Sequence, residues 1–527
     1  VGSGPVISNV QANASTVGLY EKFELTFEIS GTTATNLQFP YDPDPPSPVP
    51  AGVGITVDGL FSDDNWATTI VQPAFLYQDY EHQRISWAGI EDRDWLYPTG
   101  DPVWKIRFAP QETGTWQYRI RATDASGTVE TTAQSFTVTP SSSRGFIRVS
   151  PNDPRYFEFS DATPFIGVGH NEGFDPLRFT SETDEKFQTF ATNRVNFFRI
   201  WMSGASIVGS AWAPWSSHHL DYEGGYLPAT SLSSEQGYGG QPFSLKLSPQ
   251  NPCMFQGWVG NVAVEPNTTY RLMVRLKAVG LAGSGSYGFV VKTADWLDTA
   301  CANSGNGTLL LGPVTATSGP AGWEEVTTTF ESDHYSLNNL YLALENVTSG
   351  AVYIDEVSIE EGGYGPEILP KNRFNYHPYF DQVASWRWDY VLDRAAEQGI
   401  YLKLVVLEKN DWLYNHIDLD GSILPDDSDY DNNRFYAAPD TAVRRLHEYY
   451  WRYLAARWGY STAVHSWELI NEGDPYNGNH YDQANSFAAY IHAHDPSQHL
   501  VTTSNWHSFP VLEFWGNPDY PEVDYVD

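Results

Sequence analysis

The sequence predicts a multidomain protein in which an α/β unit is joined to two all-β units. Short strands of alternating apolar and polar residues occupy 1–140, and a second block without helical periodicity occupies 226–362. Between and after these blocks, at 145–225 and 363–527, apolar strands alternate with amphipathic helices. That alternation is typical of a (β/α) barrel, which the second all-β block would interrupt.

The N-terminal unit, 1–140, is predicted to be a β-sandwich. Its clearest strands are FELTFEI, VWKIRFA, WQYRIRATD and QSFTVTP, at 23–29, 103–109, 116–124 and 134–140. Each strand alternates apolar and polar residues, so one face of each is expected to be buried. The segment SSSRG that follows predicts a linker to the next unit.

The α/β unit begins with a predicted hairpin at 146–150 and 156–161. Its further elements are predicted from apolar runs and from helical periodicity with start and stop signals. They are strand 164–170, helix 182–193, strand 195–203, helix 379–398, strand 401–407, helix 441–457, strand 463–470, helix 481–494, strand 499–504 and the start of a sixth strand at 523–527.

The block at 226–362 is therefore inserted after the second strand of the α/β unit, at the end of such barrels where ligands bind. Within it, GSGSYG at 283–288 satisfies the glycine pattern of a dinucleotide-binding turn. Because it lies between two predicted strands and does not open a helix, we expect a hairpin loop there.

Charge and composition exclude several classes of function. With 30 Lys and Arg against 65 Asp and Glu the net charge is −35, which repels nucleic acid and anionic membranes. No apolar run of 18 residues occurs, so no membrane span is predicted, and the start VGSGPV fits a processed chain. The two cysteines, Cys253 and Cys301, fit a large extracellular protein, either as one disulfide or as two unrelated buried thiols.

One motif carries the chemistry. The segment WELINE at 467–472 ends an apolar strand at adjacent Asn471 and Glu472, and FFRIWMS at 197–203 places Arg199 on the second strand. Together they resemble the clan of retaining glycoside hydrolases with a (β/α)8 TIM barrel, whose fourth strand ends in Asn-Glu and whose second strand carries an arginine beside the catalytic carboxylates.

The other two units also resemble parts of such enzymes. RFAPQETGTWQYRI at 107–120 is similar to an N-terminal Ig-like β-sandwich module, and 226–362 is similar to a jelly-roll carbohydrate-binding module. The resemblance implies a secreted glycoside hydrolase that cleaves a polysaccharide or oligosaccharide, with endo action on a β-linked chain expected. It implies no cofactor for catalysis, and the oligomeric state stays open.

Retaining hydrolysis uses one carboxyl group as acid and base and a second as nucleophile, about 5 to 5.5 Å apart. We predict Glu472 as the acid/base and expect the Asn471 amide to donate to the sugar 2-hydroxyl. Strand alternation puts Glu468 on the same face as Glu472, deeper in the barrel. A structural role is predicted for Glu468, with Arg199 as the partner that its buried charge requires.

Other polar and aromatic residues at strand ends are predicted to line a substrate pocket. The three tryptophans among them are candidates for stacking on sugar rings or for core packing. The predicted set is His170, Asn171, Trp201, Glu408, Asn410, Trp412, Trp506 and His507.

The resemblance also implies a nucleophilic glutamate at the end of a seventh strand, beyond residue 527. We expect the chain to be a fragment of a longer protein, with a degenerate barrel as the alternative, because five and a half strands leave an unpaired edge. A degenerate barrel would make the protein a non-catalytic carbohydrate-binding or surface-assembly protein. That function is the second hypothesis.

For the inserted module, Trp258, Trp296 and Trp323 are candidate sugar contacts, with core packing expected for at least one. The resemblance implies a structural calcium in some modules of this type. Glu235 and Asp355 are the candidate ligands, since calcium prefers carboxylate and carbonyl oxygens.

Overall fold

The structure, a computed structural model, describes most of the chain. The described residues are 4–47, 49–87, 90–171, 179–202, 212–215, 220–221, 225–226, 232–233, 237–238, 244–256, 262–294, 307–332, 336–337, 339–362, 365–369, 380–408, 439–473, 478–506 and 512–527.

The N-terminal unit consists of two mainly antiparallel sheets that pack face to face. Their strand orders are β1-β3-β7-β6 and β2-β10-β8-β4-β5, and β9 pairs with β8 in the second sheet. Ring stacking joins the sheets, since Phe23 lies 3.8 Å from Phe136 and Phe61 lies 4.1 Å from Phe108, centroid to centroid. The predicted β-sandwich is therefore present. Its strands are β1 Val6–Ala12, β2 Thr16–Gly18, β3 Phe23–Ser30, β4 Thr56–Ser62, β5 Ile70–Pro73, β6 Phe75–Trp87, β7 Ile90–Phe108, β8 Gly114–Asp124, β9 Gly127–Glu130 and β10 Gln134–Thr139.

The hairpin of β6 and β7 reaches beyond this sandwich. Trp95 and Tyr97 on β7 are buried in the core of the inserted unit, and the Tyr97 hydroxyl donates to the Glu361 carboxylate. Arg84 on β6 pairs with Asp184 of the α/β unit at 2.6 Å. Residues before position 140 therefore contact both of the other units.

The α/β unit opens with β11 Ile147–Val149, β12 Phe157–Phe159 and β13 Pro164–Phe165, which form their own antiparallel sheet. β14 Gly169–Asn171, α1 Phe179–Thr192 and β15 Phe197–Trp201 follow. The prediction of one strand over 164–170 is wrong, because Phe165 pairs with Phe157 in the small sheet and the parallel strand begins only at Gly169.

The described residues of the inserted unit form β-strands and loops, as predicted, apart from a single short 3-10 helix at Pro320–Gly322. Its largest sheet has eight strands in the order β18-β19-β26-β22-β23, with β20 and β27 on β26 and β24 on β22. The expected hairpin loop at 283–288 is wrong, because these residues are a bulged part of one long strand, β22, paired with β26 on both sides of them. The strands are β16 Leu220–Asp221, β17 Gly225–Tyr226, β18 Leu232–Ser233, β19 Ser244–Leu247, β20 Cys253–Gln256, β21 Val262–Ala263, β22 Thr269–Ala294, β23 Leu309–Val314, β24 Glu324–Glu331, β25 Ser336–Leu337, β26 Asn339–Glu361 and β27 Glu367–Leu369.

The strand and helix alternation then resumes with α2 Gln382–Gln398, β28 Tyr401–Glu408, α3 Ala442–Trp458, β29 Val464–Asn471, α4 Gly478–His494 and β30 Leu500–Thr502. The Asp381 side chain caps α2 by accepting from the Ala384 amide, and Gly399 ends this helix in the left-handed conformation that favours glycine.

The parallel sheet runs β14-β15-β28-β29-β30, so its strands neighbour one another in chain order. All eight residues of β29 are buried. Among the described residues the sheet ends at β14 and β30, and a closed TIM barrel is not shown. The predicted sixth strand at 523–527 is irregular, although the Asp524 amide donates to the Val501 carbonyl of β30.

A buried ionic network joins the sandwich to the α/β unit. Arg107 of β7 contacts Asp389 of α2 at 2.8 Å, and Arg457 of α3 contacts the same carboxylate at 2.7 Å. Burial alone would raise the pKa of Asp389, but the two guanidinium groups outweigh it and hold that pKa well below its usual range. Asp389 therefore stays ionised and ties the two units together.

Candidate functional site

The candidate site extends from a buried cluster of charged residues within β15, β28 and β29 to Asn471 and Glu472 at the carboxyl end of β29. Arg199 of β15 forms a forked pair with Glu468 of β29, with Nε 2.7 Å from Oε2 and Nη2 2.5 Å from Oε1. The Glu468 side chain is fully buried. The predicted partnership of these two residues is confirmed, because a buried carboxylate needs such a partner.

A second cation also contacts Glu468. Lys403 Nζ of β28 lies 3.1 Å from its Oε2 and also pairs with Asp527. Burial would raise the pKa of Glu468, but Lys403 and Arg199 outweigh burial and lower it. Burial and the charge of Glu468 raise the pKa of Asp527. Glu468 is therefore a fixed anion, and its surroundings suit a structural role better than proton transfer.

Arg199 also sets the orientation of Asn471. Its Nη2 donates to Asn471 Oδ1 at 2.7 Å, and Asn471 is 9% exposed. A guanidinium has only donors, so the carbonyl oxygen of the Asn471 amide must face Arg199. The Nδ2 group is consequently on the side of the amide away from Arg199.

Glu472 has an unusual backbone conformation. Its φ is +55°, in the left-handed region that is uncommon for residues other than glycine. The Glu472 amide donates to Ser504 Oγ at 2.9 Å, and its side chain is partly exposed. Strained backbone of this kind costs about 1 to 3 kcal/mol and clusters at functional sites.

Two further predicted residues lie beside this cluster. Asn171 is exposed, and its Oδ1 accepts from Arg199 Nη1 at 3.2 Å. Trp506 is 56% exposed and follows β30 in the chain. Trp201 is different, because it is only 8% exposed and its ring lies 4.9 Å from the Arg199 guanidinium. Of the two predicted roles, stacking on a sugar ring or core packing, core packing is the one that Trp201 has.

Several predicted residues cannot be assigned a position in the site. The backbones of His170 and Glu408 lie in β14 and β28, and Glu408 pairs in register with Asn471. The residues that lie outside the described part of the chain are Asn410, Trp412, His507, Trp258, Trp296, Glu235 and Cys301.

In the inserted unit, Trp323 is 5% exposed and packs with Tyr238 and Tyr353. Trp323 is therefore a core residue, as expected for at least one of the three tryptophans of this unit. Asp355 is buried, and its Oδ1 accepts from the Tyr238 amide at 3.3 Å. Across the described residues no group of three or more His, Cys, Asp or Glu is arranged to hold a metal, and the calcium stays a prediction. Cys253 is disulfide-bonded.

Sequence reasoning missed two residues of the cluster. Lys403 lies in the middle of an apolar strand, and a lysine there signals a buried partner. Ser504 is the last residue of the predicted strand 499–504, and a small hydroxyl at a strand end is its only signal. Neither signal identifies the partner strand.

Among the helices that the structure describes, none is long and apolar enough to cross a membrane.

Comparison with known proteins gives weak similarities only. No protein-family model and no curated protein matches the chain. A structure from Bacteroides vulgatus ATCC 8482, described as a "putative glycoside hydrolase", has 12% identity and a TM-score of 0.41, with 95% of this chain and 58% of that chain covered. The chain thus spans under two thirds of that structure's length.

Two partial matches are a carbohydrate-binding module and a polysaccharide-degrading enzyme. A family 16 carbohydrate-binding module has 24% identity and a TM-score of 0.17, over 25% of this chain and 84% of that one. An endo-β-1,4-mannanase from Thermotoga petrophila has 23% identity and a TM-score of 0.18, over 23% of this chain and 27% of that one. At such values none of these similarities carries an argument about activity.

Proposed function

We propose that the protein is a secreted, retaining glycoside hydrolase that acts on a polysaccharide with endo action. In this proposal the parallel sheet belongs to a (β/α)8 TIM barrel, the sandwich is an Ig-like module, and the inserted unit is a jelly-roll module that binds carbohydrate. The single observation that carries it is the pair Asn471–Glu472 at the end of a fully buried parallel strand, with the amide of Asn471 oriented by Arg199.

Glu472 is assigned as the general acid and base. The Glu472 side chain is partly exposed, while the Glu468 side chain is fully buried and paired with two cations. A group that gives and takes a proton must be reachable by the substrate, and of these two carboxylates only Glu472 has exposed surface.

Retaining chemistry needs a second carboxyl group about 5 to 5.5 Å from the first. Glu468 does not suit this role, because Arg199 and Lys403 hold it as a buried ion pair. We therefore assign the nucleophile to a carboxylate outside the described residues. Asn471 would donate to the sugar 2-hydroxyl and Trp506 would stack on a ring.

The test is Glu472→Gln in the full-length protein. Removing the transferable proton should lower kcat on oligosaccharides with poor leaving groups by roughly 100- to 10,000-fold, the usual contribution of general acid–base catalysis. Activated aryl glycosides should lose less in the first step, since their leaving groups need little protonation.

Glu513→Gln is the matched control, because Glu513 is an exposed carboxylate in the nearby turn after 511. It should leave both substrate classes unaffected. Equal small losses for Glu472→Gln on both classes would contradict the assignment.

The second candidate is a non-catalytic carbohydrate-binding protein. It is favoured by one observation, namely that the carboxylate nearest to Glu472 on β29, Glu468, is fully buried in ion pairs. Wild-type protein that binds oligosaccharide in calorimetry but hydrolyses none of a glucan, xylan and mannan panel would support this candidate.

A further inference from the structure

Ser504, just beyond β30, contacts several parts of the candidate site at once. Its Oγ accepts from the Glu472 amide at 2.9 Å and donates to the Ile470 carbonyl at 3.3 Å. Arg199 Nη2 lies 3.4 Å from the same oxygen. One hydroxyl thus links the β15 arginine to the backbone of the residue assigned as acid and base.

The backbone around Glu472 shows what this hydroxyl does. The chain from Ile470 to Gly473 pairs with the segment after β30, because the Ser504 amide donates to the Ile470 carbonyl at 3.4 Å and the Gly473 amide to the Ser504 carbonyl at 2.9 Å. Glu472, with its left-handed φ, interrupts this ladder, and its amide bonds to a side chain instead. The Ser504 hydroxyl therefore supplies the acceptor that the ladder does not.

The turn is also held from the other side. A Cβ added to Gly473 would lie 2.5 Å from the ring of His480, so that ring packs directly against the Gly473 backbone. His480 Nε2 in turn lies 3.0 Å from Thr503 Oγ1, one residue before Ser504. Glu472 thus lies in a turn that Ser504 contacts directly and that His480 of α4 contacts at Gly473.

We propose that Ser504 is a positioning residue for Glu472, holding its left-handed backbone so that the carboxyl group meets the leaving-group oxygen. The inference rests on the proposed function of Glu472. Ser504, which follows β30, contacts the backbone amide of the acid/base residue Glu472. Its loss is therefore expected to impair protonation of the leaving group specifically.

Ser504→Ala tests this in the full-length protein. Loss of the acceptor frees the Glu472 amide, and a displacement near 1 Å costs up to about 100-fold in rate. We expect kcat on poor leaving groups to fall about 10- to 100-fold with KM changed less than about twofold, and activated aryl glycosides to lose less than about threefold. Ser504→Thr, which keeps the hydroxyl, should restore most of the rate.

Thr502→Val is the matched control, since it removes a buried β30 hydroxyl that bonds only to the Tyr525 carbonyl among the contacts described. It should destabilise the protein comparably without changing the ratio of the two rates. The same ratio in Ser504→Ala as in Thr502→Val would overturn the inference and reduce Ser504 to a structural role.

Hydrogen exchange of the Glu472 amide gives a readout that needs no turnover. Ser504→Ala should accelerate it at least about tenfold, and an unchanged rate would overturn the proposed contact. Failure of the proposed function has a separate signature, because Glu472→Gln would then give equal small losses on both substrate classes whatever Ser504→Ala does.

Discussion

Arg199→Met removes the guanidinium that pairs with Glu468 and should destabilise the α/β unit. Breaking a buried pair costs about 3 to 5 kcal/mol, because the remaining charge is left uncompensated. Lys403 stays 3.1 Å from Glu468, so we expect a value near the lower limit, about 3 kcal/mol. For a unit of this size that lowers Tm by about 6 to 12 °C.

The assay is differential scanning calorimetry of the full-length protein, since a multidomain chain unfolds in more than one transition. The transition of the α/β unit should move most. Arg199→Met/Glu468→Met is the control, because replacing both partners with apolar groups removes the stranded charge and should recover most of the loss. A shift under about 2 °C in the single variant, or a double variant as unstable as the single one, would refute the reasoning.

Two further predictions concern an ion pair within the N-terminal sandwich and the contact of that sandwich with the inserted unit. Burial would raise the pKa of Glu24, but Arg107 and Lys105 outweigh burial and lower that pKa from 4.5 to about 2. The charge of Glu24 therefore stabilises the fold above about pH 4.5, and this stabilisation is lost as the pH falls towards 2. The free energy of unfolding of wild type should exceed that of Glu24→Gln by up to roughly 3 kcal/mol at pH 7, and the difference should shrink in urea titrations at pH 3; a difference that does not change with pH would contradict this. Trp95 is 2% exposed in the core of the inserted unit, so Trp95→Ala should lower the stability of that unit by about 3 to 5 kcal/mol although the residue belongs to the N-terminal sandwich. An unchanged calorimetric transition of the inserted unit would show that the hairpin contact is dispensable.

The sequence by itself determined the local elements of this protein. The alternation in FELTFEI, the helix stop at Gly399 and the buried run that ends at Asn471 all appear in the structure near their predicted places. The Arg199–Glu468 pair was also predictable, because a carboxylate on the buried face of a strand requires a cationic partner. The other predicted parallel strands contain few cationic residues.

Only the tertiary structure decided which residues meet across distant segments. Phe165 left the predicted parallel strand for a small antiparallel sheet, and Trp201 and Trp323 proved to be packed, since an aromatic residue carries no local mark of whether its ring is covered. Ser504 and Lys403 joined the site from strands far apart in the chain. The periodicity of a segment determines which face of its helix or strand is apolar. The element that packs against that face depends on the fold of the whole chain, and a short window of sequence does not contain this information.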